Sequence, residues 1–221
     1  MTTYDLTFCK GHALITTLDG MVLVDTGSQK SFSANGQLYL CGELIEVPTS
    51  IESIDAAYLS GKVGTPVFGL LGMDILSKKV VLIDYPHGRI CLDYEGAPGQ
   101  EAVSFTSFGL PGVELRLKNQ MFKFVLDTGS PVSYAPAWLL KDFEEVGSVE
   151  DFSPLATTDI FTTPLYEIDT CCGEKCFTGT YGILPDRLAV LVTMTGMDGI
   201  IGKCFLDTFA VVLKAGKVFL I

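Results

Sequence analysis

The sequence predicts an all-β protein with a few short helices, built from two halves on one plan. Three observations carry that reading. Most of the chain is short runs rich in Val, Ile, Leu, Phe and Tyr, the residues that suit a pleated, half-buried surface. A segment at 21–32, MVLVDTGSQKSF, is echoed at 123–134 by KFVLDTGSPVSY. A second pair lies downstream, FGLLGMDIL at 68–76 and GIIGKCFL at 199–206.

The elements follow in order. HALITTLDGMVLV reads as a β-hairpin with Asp19-Gly20 in its turn, and its second strand runs straight into Asp25. An aromatic, Phe32, follows that aspartate by seven positions. After Leu70-Leu71-Gly72 the stretch MDILSK predicts a short helix with Asp74 as its cap, and VVLID at 80–84 a strand. HGRICL at 87–92 then supplies a turn and a closing strand. EGAPGQE at 95–101 has the Gly, Pro and charge of an exposed linker. The second half repeats the plan. VELRLKNQMFKFVL predicts a hairpin around Asn119-Gln120 that delivers Asp127, and Tyr134 follows by the same seven positions. Ile200-Ile201-Gly202, the run AVVLK at 210–214 and the ending GKVFLI at 216–221 complete it. The expected division is therefore 1–96 and 97–221, with an insert at about 135–164 in the second half. Within that insert APAWLLKDFEEV predicts a short helix with Pro136 in its first turn. GSVEDFSPLATTDIFTTP lacks a helical period and reads as a flap or a long binding loop. The first half has little chain between Ser28 and Leu38, so a full flap is not expected there, and Phe152 and Phe161 are candidates to lie over a cleft.

Composition narrows the function classes. A net charge of −11 disfavours nucleic acid, whose phosphates an acidic surface repels. There is no basic amphipathic run for a membrane surface and no apolar run long enough to span one. The start MTTYDLTFCK lacks the basic and apolar regions of a signal peptide, so the expectation is a soluble cytoplasmic protein. The cysteines are seven and scattered. Cys171, Cys172 and Cys176 cluster as CCGEKC, without the paired spacing of a structural zinc site. They read as small, partly buried thiols, with metal binding or redox sensing the sharper alternative. His12 and His87 have no matched Ser or Cys motif, no HExxH or phosphate-binding glycine motif occurs, and neither metal nor cofactor is expected.

The repeated Asp-Thr-Gly-Ser carries the chemistry. An apolar strand ending in Asp brings a carboxylate to the edge of a dry core, where burial disfavours its charge unless partners are supplied. Thr26 and Thr128 offer hydroxyls, Gly27 and Gly129 let backbone N–H groups approach the carboxylates, and Ser28 and Ser130 add further donors. One such loop is a common turn. Two, each after an apolar strand and each followed by apolar-apolar-Gly, point to a pair of working carboxylates, Asp25 and Asp127.

On these residues the chain resembles the aspartic proteases of the retropepsin and pepsin type, and is similar to bacterial single-chain proteins with two tandem retropepsin-like halves. The resemblance covers nearly the whole length. It implies two β-barrel lobes related by a pseudo-twofold axis, with a cleft between them and Asp25 and Asp127 facing each other on its floor. It implies that Thr26 and Thr128 hydrogen-bond across the axis, and that Gly72 and Gly202 lie where a strand passes behind each loop. The activity implied is aspartic-type endopeptidase action on a peptide or protein substrate, with one chain sufficient for a complete site. The rival reading is a non-catalytic peptide-binding or assembly module on the same fold.

Overall fold

A computed structural model describes residues 1–153 and 160–221. The protein is mostly β, with short helices at Ala56–Val63, Met73–Leu76, Ala137–Leu140, Asp186–Met194 and Lys203–Thr208. Among the described residues none of the helices is long and apolar enough to cross a membrane.

Each Asp-Thr-Gly-Ser loop is placed by the same local arrangement. Met21–Val24 pairs antiparallel with His12–Thr16 on one side and parallel with Gly69–Leu71 on the other, so the strand feeding Asp25 is central and buried. The Asp19-Gly20 turn forms as predicted, closed by Thr17 N–H to the Gly20 carbonyl at 2.9 Å. In the second half Gln120–Leu126 lies between Leu110–Leu117, antiparallel, and Gly199–Ile201, parallel. Its turn is one residue earlier than expected. Leu117 pairs with Gln120, and the bend falls on Lys118 and Asn119, both left-handed at φ 47° and 62°. Two consecutive positive φ values match the right-handed strand twist, and Asn tolerates them better than most residues.

The sheets do not keep the halves apart. Val211–Lys214, from the end of the chain, pairs antiparallel with Val81–Asp84 from the first half. The ten-stranded sheet thus runs from Gln100–Glu101 through Lys217–Leu220 and Val211–Lys214 into strands of the first half. The expected linker is exposed at 95–97, but its last two residues are a strand, Gln100 opposite Leu220 and Glu101 opposite Phe219. One large core, including Leu71, Ile83, Leu115, Phe124 and Phe205, spans both halves.

The insert is more regular than predicted. Helix Ala137–Leu140 is a single turn, begun by Pro136 with φ −63°. The chain then enters Glu145–Phe152, which pairs with the first half of Ile160–Cys172 as a long hairpin. Residues 154–159, part of the predicted flap or loop, lie outside the described residues. Alternation in EVGSVEDF is too weak to announce a strand; its partner supplies the order. The CCGEKC cluster also differs from expectation. Cys171 stands opposite Cys176 across the hairpin of Ile160–Cys172 and Lys175–Ile183, and the two form a disulfide. Adjacent strand residues point to opposite faces, so Cys172 turns away and is buried as a free thiol. Among the described residues no group of three His, Cys, Asp or Glu is arranged to hold a metal ion.

Candidate functional site

The two loops meet. Asp25 N–H donates to the Leu71 carbonyl at 3.0 Å, and Asp127 N–H to that of Ile201 at 2.9 Å. Behind each loop the Met73 N–H reaches Ser28 O at 2.8 Å and the Lys203 N–H reaches Ser130 O at 3.1 Å. Gly72 N–H donates to Ser31 Oγ at 2.9 Å, and Gly202 N–H to Ser133 Oγ at 3.0 Å. Asp74 is not a helix cap. Its carboxylate accepts from Ser31 Oγ at 2.6 Å, and Cys204 takes the corresponding place beside Ser133 Oγ at 3.0 Å.

The threonines cross between the halves. Thr26 Oγ1 donates to the Leu126 carbonyl at 2.6 Å and accepts from Thr128 N–H at 3.0 Å. Thr128 Oγ1 donates to the Val24 carbonyl at 2.8 Å and accepts from Thr26 N–H at 3.0 Å. Both threonines are buried, so these four bonds are shielded from water. Ser28 and Ser130 do not face the carboxylates. Their hydroxyls close their own loops onto Lys30 O at 2.9 Å and Val132 O at 2.8 Å.

Each aspartate is held by its own loop. Gly27 N–H donates to Asp25 Oδ1 and Gly129 N–H to Asp127 Oδ1, both at 2.8 Å. The two carboxyls lie side by side at the meeting of the loops, each packed against the glycine of the other loop, and both face the same cavity. Burial raises both above the ordinary carboxylate range, and Asp127 is raised well above it because the Asp25 charge adds to its desolvation. Each residue keeps a partly exposed edge, which faces a cavity of about 510 Å³. The glycines make the approach possible. A Cβ at Gly27 would lie 2.5 Å from Asp127 Cγ, and one at Gly129 would lie 2.7 Å from Asp25 Cγ.

The cavity walls combine residues of the two repeated motifs with helices and a hairpin that the sequence left unassigned. One wall is Leu23, Phe32, Leu59 and Leu70, backed by a satellite core around helix Ala56–Val63. Over it stands a small hairpin, Ser50–Ile51 with Ile54–Asp55, that brings Ile51, Glu52 and Ile54 to the cleft. The first half therefore does reach over the site, from a segment beyond Leu38. The opposite wall is Val125, Tyr134, Leu188, Val192 and Ile200, a second satellite core around helix Asp186–Met194. Phe152 and Phe161 both line the cavity. His12 and Asp151 line it too, and neither was singled out as a site residue. Only the aromatic at the seventh position after each aspartate could have drawn attention to Tyr134.

Comparison with protein-family models and with curated proteins finds no match for the chain.

Proposed function

We propose that the protein is an aspartic-type endopeptidase that hydrolyses peptide bonds with Asp25 and Asp127 as its catalytic pair. The observation that carries this reading is the pair of juxtaposed aspartates, each against the other loop's glycine, that line one largely apolar cavity of about 510 Å³. The architecture proposed with it is two retropepsin-like lobes, 1–96 and 97–221, related by a pseudo-twofold axis. The crossed threonine bonds and the matched supports behind each loop favour that arrangement.

The chemistry follows from the pair. Two carboxyls this close cannot readily both be charged, so they hold one proton between them and titrate as a unit. The ionised partner takes a proton from a water lying between them as it attacks the scissile carbonyl carbon. The protonated partner donates to the carbonyl oxygen, and a proton is later returned to the leaving nitrogen. No covalent intermediate forms. The N–H groups of Gly27 and Gly129 hold the carboxyls in position and remain where they are throughout. The apolar walls receive extended peptide and exclude water from around the pair.

The test is cleavage of unfolded protein and peptide mixtures, surveyed across pH. Asp25→Asn and Asp127→Asn should each abolish cleavage while the variants remain folded. Inhibition by a transition-state mimic bearing a hydroxyl in place of the scissile carbonyl should accompany it. Tight binding of peptide with no cleavage at any pH would instead establish the peptide-binding reading.

A further inference from the structure

The two loops are near copies in their hydrogen bonding, but the second carries attachments for which the first shows no counterpart among the described residues. The Gly129 carbonyl accepts a hydrogen bond from His12 Nδ1 at 2.8 Å. A carbonyl can only accept, so Nδ1 carries the hydrogen. His12 belongs to the first half, is 4% exposed, and is delivered by the Lys10-Gly11 turn. That turn is pressed onto the loop: a Cβ at Gly11 would lie 2.6 Å from Pro131 Cβ, and Gly11 has φ +86°. The ring of His12 meets that of Phe152 with centroids 5.2 Å apart.

Next to Phe152 is Asp151, 8% exposed in the cavity wall. Its Oδ1 accepts from Phe152 N–H at 2.8 Å and its Oδ2 accepts from the Tyr134 hydroxyl. Burial pushes this carboxyl up, while the Tyr134 and Phe152 donors pull it back. Tyr134 lies on Ser133–Ala135, opposite Ile200 and seven positions after Asp127. The equivalent position in the first half is Phe32, opposite Leu70, which fills the same kind of site with no hydroxyl. A buried carboxylate costs free energy that a phenyl ring would avoid. The second half uses its hydroxyl to hold that carboxyl, and the chain of contacts from Gly129 through His12, the Phe152 ring, Asp151 and Tyr134 returns to the Asp127 loop.

We propose that His12, Asp151 and Tyr134 are positioning residues that lock the Glu145–Phe152 strand to the second half-site and thereby hold Gly129 and Asp127 in register with Asp25. The catalytic consequence rests on the endopeptidase reading; the mechanical coupling does not. None of the three touches the reacting atoms, so their effect should fall on kcat. A shift of the loop by about 1 Å is worth on the order of 100-fold in rate.

The experiment compares His12→Phe, Tyr134→Phe and Asp151→Asn with the wild type in the full chain. Two readouts are taken: steady-state kinetics, and amide hydrogen exchange at Gly129 and Ser130 and along Glu145–Phe152. The expected result is a fall in kcat of roughly 10- to 100-fold with KM less affected, partial rescue by His12→Gln, and faster exchange in both places for every variant. Tyr134→Phe removes a single oxygen, so it reports even where His12→Phe fails to fold. Wild-type exchange at Gly129 in a folded Tyr134→Phe variant would overturn the proposal, as would exchange that rises only along Glu145–Phe152. If the wild type cleaves nothing, the endopeptidase reading fails on its own, and exchange still decides the coupling.

Discussion

Replacing Gly27 by alanine adds one carbon at the point where the two half-sites touch. That carbon would sit 2.5 Å from Asp127 Cγ and 2.6 Å from each of its carboxyl oxygens. Nonbonded carbon atoms prefer about 3.5–4.0 Å, so the Asp127 carboxyl and the Gly27 loop must separate by roughly 1 Å. Gly27 is not among the glycines with positive φ, so its backbone accepts alanine and the whole cost is steric. Overpacking of this size destabilises by about 1–3 kcal/mol, partly relieved if Asp127 swings toward the cavity. Either way the contact between the carboxyls is lost, and a 1 Å displacement of a catalytic group lowers the rate by on the order of 100-fold. Gly129→Ala repeats the test from the other side with more room, 2.7 Å to Asp25 Cγ and 2.8–2.9 Å to its oxygens, so its effect should be the smaller. The assays are urea unfolding and initial rates of peptide hydrolysis on the same preparations. A Gly27→Ala variant with wild-type stability and wild-type rate would refute the close approach of the loops.

Thr128→Val removes two buried hydrogen bonds and leaves the Val24 carbonyl and Thr26 N–H without that partner. With about 1–3 kcal/mol for each buried group left unpaired, the expected loss is roughly 2–6 kcal/mol in urea unfolding, and Thr26→Val should cost a similar amount. Stability against pH should carry the signature of the pair. Burial raises both carboxyls, so between the ordinary value of 3.8 and the folded value the native state binds more protons than the unfolded chain. The stability this provides is complete below that window and is lost as pH rises through it. Asp127→Asn should flatten the profile and be the more stable protein above the window; a steeper profile in the variant would contradict the sign. Reducing the Cys171–Cys176 disulfide opens a six-residue loop, for which chain entropy gives at most about 2 kcal/mol. Unfolding with and without reductant measures it, and a larger loss would show that the hairpin depends on the bridge for more than loop closure.

The half-sites were legible because they are local. An apolar strand, a carboxylate, a glycine and a hydroxyl fall within a few residues of one another, and repetition makes the pattern stand out. Leu70-Leu71-Gly72 stood out in the same way, although its parallel pairing with Met21–Val24 is made only in the fold. What stayed hidden is made by distant chain. Glu145–Phe152 has two glutamates, a glycine at φ 155° and a bulge, and it is a strand only because Ile160–Cys172 offers an edge. Asp74 lies inside the first turn of a helix whose N-cap is Gly72, and its carboxylate turns to Ser31, a residue that the cap pattern does not include. Cys171 and Cys176 are a disulfide because a hairpin turn sets them opposite each other, and their spacing alone does not reveal that register. His12 looked like an isolated histidine because its partners, Gly129 and Phe152, belong to the other half.

The same long-range contacts bear on how many chains make a site. Each active loop depends on atoms of the other: the Thr26 hydroxyl donates to the carbonyl before Asp127, and the Thr128 hydroxyl to the carbonyl before Asp25. Tyr85, from the first half, donates to Thr128 O at 3.2 Å, and Val211–Lys214 completes a sheet that begins in the first half. Neither half buries its loop without the other, and both are already joined by covalent chain, so their meeting carries no concentration term. A homodimeric site with one aspartate per chain would lose activity as the square of dilution below its dissociation constant. Here specific activity should stay constant as the protein is diluted to nanomolar levels, with peptide in excess and adsorption controlled. Specific activity that falls in proportion to concentration would mean that a second chain supplies something the fold lacks, and the pairing of Asp25 with Asp127 within one chain would not then suffice for catalysis.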